Sequence, residues 1–107
     1  MLEENLKTNS NVSSAINRCD ELIKLAKKMH EHVIHLIIGY GSTGGSHKIN
    51  IAIYNHLEEL LLKKQIKGYA KGTLDFTDPN YLKMPYKELI DEKARKRGNL
   101  GTVFVVF

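Results

Sequence analysis

Apolar residues recur along this chain with two different periods, and each predicts its own kind of element. Between residues 12 and 29, Val12, Ala15, Ile16, Cys19, Leu22, Ile23, Ala26 and Met29 return every three or four positions, which gathers them on one side of a helix. Asn11 or Ser10 supplies the cap, because a short side-chain oxygen accepts from the unpaired amides of the first turn. Val33, Ile34, Leu36, Ile37 and Ile38 are apolar on both alternating faces around His35, the pattern of a central strand covered by helices on each side. Ser46 caps a second helix, to about Lys64, with its stripe at Ile49, Ala52, Ile53, Leu57, Leu60 and Leu61. Ile51 and Leu62 fall together on the opposite side of that helix and predict contact with another element or with a partner, a second copy included. Residues 66–70 form a short strand weakened by Gly68, and residues 102–107 a strongly apolar final strand. That last strand must be buried, since as an exposed edge it would invite aggregation.

Residues 72–100 change character: Asp78, Pro79 and Asn80 make a turn, Pro85 can begin a helix, and the stretch from Lys87 to Arg97 is largely charged. The order helix, strand, helix, strand, insertion helix, strand predicts a small single-domain α/β sandwich over residues 1–107, in two or three layers. It has a mixed sheet of about four strands, two main helices and a helical insertion before the last strand. A chain of 107 residues builds one core and is short for two. Its net charge of +4 suits a polyanionic partner. The single cysteine, Cys19, excludes an internal disulfide, and its place on the apolar stripe predicts a buried thiol in a reducing compartment. The opening residues carry no basic region followed by an apolar one, and no apolar run approaches the roughly 18 residues of a membrane span. A cytoplasmic protein without membrane contact is expected.

The candidate chemistry lies where the strand ending at Ile38 runs into Gly39, Tyr40, Gly41, Ser42, Thr43, Gly44, Gly45 and Ser46 and then into a helix. Glycines let the backbone approach a ligand closely, and the first helical turn adds unpaired N–H donors at the positive end of the macrodipole, so a phosphate fits there. His47 and Lys48 follow at once, where acidic residues are ordinarily favoured; a bound anion would reverse that preference, whereas Lys48 directed into water would need no ligand. Gly98, Asn99, Leu100 and Gly101 frame a second entry, into the final strand, just after Lys93, Arg95, Lys96 and Arg97. These cations can face the same polyanion, although a helix end also favours them without one. Tyr40 can stack on a base or sugar, or close the core over the loop.

Residues 39–44 fit G-x-G-x-x-G, but no acidic residue ends the next strand, a Gly-Lys-Ser/Thr is absent, and the chain lacks room for two mononucleotide halves. No dinucleotide or other cofactor is expected. His30, His32 and His35 lack the cysteine or paired carboxylates that would complete a metal site, and Asp75 with Asp78 is explained by a turn. His35 and His47 are the acid–base candidates, because histidine titrates near neutrality.

The run from the first helix through residues 33–42, together with residues 98–105, resembles the Smr domain, the small MutS-related module. Gly39 and Gly41 match glycines of its H-G-x-G-x-G loop, while Ile38 stands at the position of its histidine. Its N-terminal L-D-x-H-G falls on residues 5–9, where no residue agrees. The resemblance implies a strand, helix, strand, helix, strand, strand order and binding to DNA or RNA, with nicking or endonuclease activity in some members. Loss of both polar motifs implies a member that binds without cutting, with phosphodiester cleavage as the alternative.

Overall fold

The computed structural model describes residues 2–8, 11–39, 44–71, 90 and 101–107. The elements run β1 (Leu2–Asn5), α1 (Val12–Lys28), β2 (Val33–Ile37), α2 (Gly44–Leu62), β3 (Gly68–Lys71) and β4 (Thr102–Val106). The four strands form one mixed sheet in the order β1-β2-β4-β3, with β1 and β2 parallel and β4 antiparallel to both of its neighbours.

The final strand is central, as its apolar run requires, and all five of its residues are buried. Alternation along β2 and β4 sorts their side chains between two cores. Ile34, Leu36, Val103 and Val105 join Ala15, Cys19, Leu22, Ile23 and Ala26 of α1 and Ile49, Ile53, Leu57 and Leu60 of α2 in the larger core. Val33, Phe104 and Val106 meet Ala70 and Ile90 on the opposite face. Both long helices therefore cover one face of β2. The second face is closed partly by Ile90, a helical residue from the segment between β3 and β4 that is wholly buried. A polar-looking stretch thus supplies a core residue. Each such large aliphatic removed from water contributes about 1.5–3 kcal/mol.

β1 is an element that the hydrophobic pattern does not predict. Its four half-buried residues include Glu3 and Glu4, and it lies at an edge, so no apolar run marks it. What holds it is pairing in register with residues 34–37 of β2, continued by the Leu6 amide donating to the Ile37 carbonyl at 2.8 Å. Leu6 is completely buried. Arg18 of α1 reaches back to grip both carboxylate oxygens of Glu4 and also Glu21 at 3.1 Å. That guanidinium holds the Glu4 carboxyl below the usual carboxylate range.

The helices match the expected stripes with small displacements. Asn11 caps α1, its side chain accepting from the Ser14 amide at 2.8 Å. Met29 lies beyond the last turn and is 53% exposed, so it leaves the stripe predicted for it. Helix α2 begins at Gly44, which places Ser46 inside it rather than at its cap. α2 also ends at Leu62, and β3 starts at Gly68, two residues later than expected, although Ile66 is buried before it. Among the described residues no helix is long and apolar enough to cross a membrane.

Candidate nucleic-acid interface

The junction between β2 and α2 is set by two glycines from distant parts of the chain. Gly39 leaves the strand with φ 84°, a left-handed conformation that strains any residue bearing a Cβ. Its amide donates to the Gly101 carbonyl at 3.0 Å, and the Ile38 amide donates to the same oxygen at 2.7 Å. Gly101 packs so closely that a Cβ there would lie 3.1 Å from the Gly39 carbonyl carbon. From α2, the Asn50 side-chain amide donates to the Gly39 carbonyl at 2.8 Å. Gly39, just after β2, and Gly101, at the entry to β4, therefore meet at one point.

That contact also assigns Gly39 a structural role. It is buried and its N–H is already engaged, so donors for an anion must come from residues after it. Gly44, Gly45, Ser46 and His47 open α2, which begins without an acidic residue in its first turn. Lys48 follows in the second turn with an exposed side chain. Tyr40, Gly41, Ser42, Thr43, Lys93, Arg95, Lys96 and Arg97 lie outside the described residues, as do Asp75 and Asp78.

His35 occupies a different place from the junction. Its ring, 1% exposed, stacks on Phe104 of β4 at 4.4 Å between centroids and 16° between planes, on the sheet face away from the long helices. Its Nδ1 lies 3.0 Å from a carboxylate oxygen of Glu3, the residue paired with it in register on β1. Glu3, His35 and Phe104 form one row across three strands, an arrangement that binds the edge strand to the sheet. His56 and Asp20, 2.7 Å apart, make a corresponding tie between α2 and α1. Among the described residues no group of three or more histidine, cysteine or acidic side chains could hold a metal ion.

Sequence reasoning passed over Asn50 and Glu3. Asn50 looks like one more polar position between buried turns, and its partner is a carbonyl, which no side-chain pattern reveals. Glu3 acquires meaning only once β1 is seen to lie beside β2.

No family model matches the sequence, and no curated protein matches it. In structure the chain is similar to the Smr domain of Thermus thermophilus MutS2, known from a crystal structure. The TM-score is 0.63 over 99% of this chain and 96% of that one, at 17% sequence identity. The four-stranded mixed sheet with two helices on one face is accordingly the fold of an Smr domain.

Proposed function

We propose that this chain is a nucleic-acid-binding domain of the Smr type, contacting the phosphate backbone where β2 passes into α2. The observation that carries the reading is the meeting of Gly39 and Gly101 beside the start of α2, within a fold matched along nearly its whole length. Residues 41–46 would offer backbone amides and hydroxyls to phosphate, with Tyr40 stacking on a base or sugar. Lys48, exposed on α2, and the Lys93, Arg95, Lys96 and Arg97 cluster, close in sequence to Gly101, would neutralise charge. Contacts of this kind bind without reading sequence and weaken steeply with salt.

The test is a titration of labelled RNA and DNA at several salt concentrations. Binding that weakens with salt, and weakens further in Lys48→Glu with Arg95→Glu, is expected; affinity indifferent to both would refute the proposal. Binding without cleavage fits the placement of His35, which is buried against Phe104. Supercoiled plasmid left intact with magnesium or manganese agrees with it, and nicking that depends on His47 would establish the enzyme instead.

A second reading rests on Ile51 and Leu62, which are 47% and 76% exposed on the outer side of α2. Two aliphatic side chains held in water fit a homo-oligomer formed through this helix. Sedimentation at rising concentration should show association that Leu62→Glu abolishes, and a monomer throughout would dismiss it.

A further inference from the structure

We infer that Asn50 is a positioning residue that locks Gly39, just after β2, and Gly101, at the entry to β4, into a single unit, so that the two positions open together and their opening weakens binding. The part of this inference that concerns affinity rests on the nucleic-acid reading; the locking itself does not.

Gly39 is held from three directions. Its N–H is taken by the Gly101 carbonyl, its Cα and carbonyl carbon lie against Gly101, and its C=O is taken by Asn50. The first two contacts come from the far end of the sequence and the third from α2. Asn50 is half-buried between Ile49, which is in the core, and the glycine turn. Truncating it leaves a buried carbonyl without that donor. A glycine in the left-handed region has no side chain to resist rotation of its neighbouring peptide, so the carbonyl would turn to find another partner. The same rigid plane carries the next amide of the chain. Fixing the Gly39 carbonyl therefore fixes the peptide plane that leaves Gly39, and Asn50 sets that plane without itself touching phosphate.

The lock also works in the other direction. Because the Gly101 oxygen accepts from both Ile38 and Gly39, displacement of the turn after β2 is felt at the start of β4. Through Asn50, α2 is thus tied to this double contact.

The experiment is amide hydrogen exchange on the full chain, read separately over residues 38–39, residues 101–103 and α1, for Asn50→Ala and for Asn50→Asp. The aspartate keeps the size of the side chain but cannot donate. Both variants should exchange faster in the two glycine segments together, by about fivefold or more, while α1 keeps its native rate. Unchanged exchange, or acceleration in one segment alone, would overturn the lock. Should either variant fail to fold, Gly101→Ala presses on Gly39 from the opposite side with Asn50 intact and must loosen the same two segments.

Titration with labelled RNA and duplex DNA then separates the two claims. Asn50→Ala should bind about five- to tenfold more weakly with an unchanged slope of affinity against salt, since no phosphate-neutralising charge is lost. Equal affinity in a variant whose two segments are loosened overturns the positioning role. A wild-type chain that binds neither nucleic acid overturns the proposed function, and the exchange result alone then decides the lock.

Discussion

A methyl group added at Gly101 would press on the Gly39 carbonyl carbon at 3.1 Å, and one added at Gly39 would sit on a backbone turned to φ 84°. The two sites fail for different reasons. Gly101→Ala is an overpacking change, expected to cost about 1–3 kcal/mol, whereas Gly39→Ala pays a conformational penalty of roughly 1–2 kcal/mol. Urea denaturation of each variant checks both figures, and additivity in the double variant would mean that the glycines do not share one contact. At this scale the sequence was informative about side chains that obey a period. Cys19, placed on the helical stripe, is fully buried, and burial pushes its thiol up to about 12. It was silent about Asn50 and Glu3, whose partners belong to other elements.

Between elements, the ends of the helices decide much of the geometry. Both long helices stop on a non-glycine residue in the left-handed region, His30 with φ 60° and Lys64 with φ 61°. Around each, the chain closes the helix with the same pair of bonds: Glu31 to Ala26 and His30 to Lys27 in one, Gln65 to Leu60 and Lys64 to Leu61 in the other. Glycine is the residue that this turn favours, so His30→Gly and Lys64→Gly should each raise the unfolding free energy by about 0.5–1 kcal/mol in urea titrations. The edge strand gives a prediction in pH. Hydrogen bonding to Arg18 depresses the Glu4 carboxyl in the folded protein, so its stabilisation is present above the unfolded carboxylate value and is lost as pH falls through the folded one. The melting temperature of the wild type should exceed that of Glu4→Gln near neutrality, and the gap should close on acidification below about pH 4. A gap that widens in acid would contradict the Arg18 contact. The resemblance implied a leading strand, and its absence from the hydrophobic pattern has the same origin as this pH effect: β1 is held by ladder bonds and an ion pair rather than by an apolar face.

Across the whole molecule, the hydrophobic pattern identified the two main helices and the burial of the final strand, and it left open which helix covers which face. Periodicity along β2 reports that both faces are dry without saying what dries them. One side is taken by α1 and α2 and the other receives Ile90. Ile90→Ala should therefore destabilise the entire domain, by about 2–5 kcal/mol in a single cooperative urea transition. A loss near zero would mean that the segment carrying Ile90 is an appendage to a sheet that stands without it. The junction of the glycines was legible as two separate loops, but only the antiparallel pairing of β2 with β4 brings them side by side.

That pairing governs the order in which the molecule can be assembled. β2 and β3 are not neighbours in the sheet; among the described residues β3 is joined only to β4, which arrives about thirty residues after β3 in the chain. A polypeptide emerging from the ribosome can dock its first two strands and helices early, but β3 has no partner in the sheet until residues 102–106 slot between it and β2. Nascent chains stalled short of that point should remain open to proteases and chaperones, and closure of so long a loop makes acquisition of the last strand the natural slow step of folding.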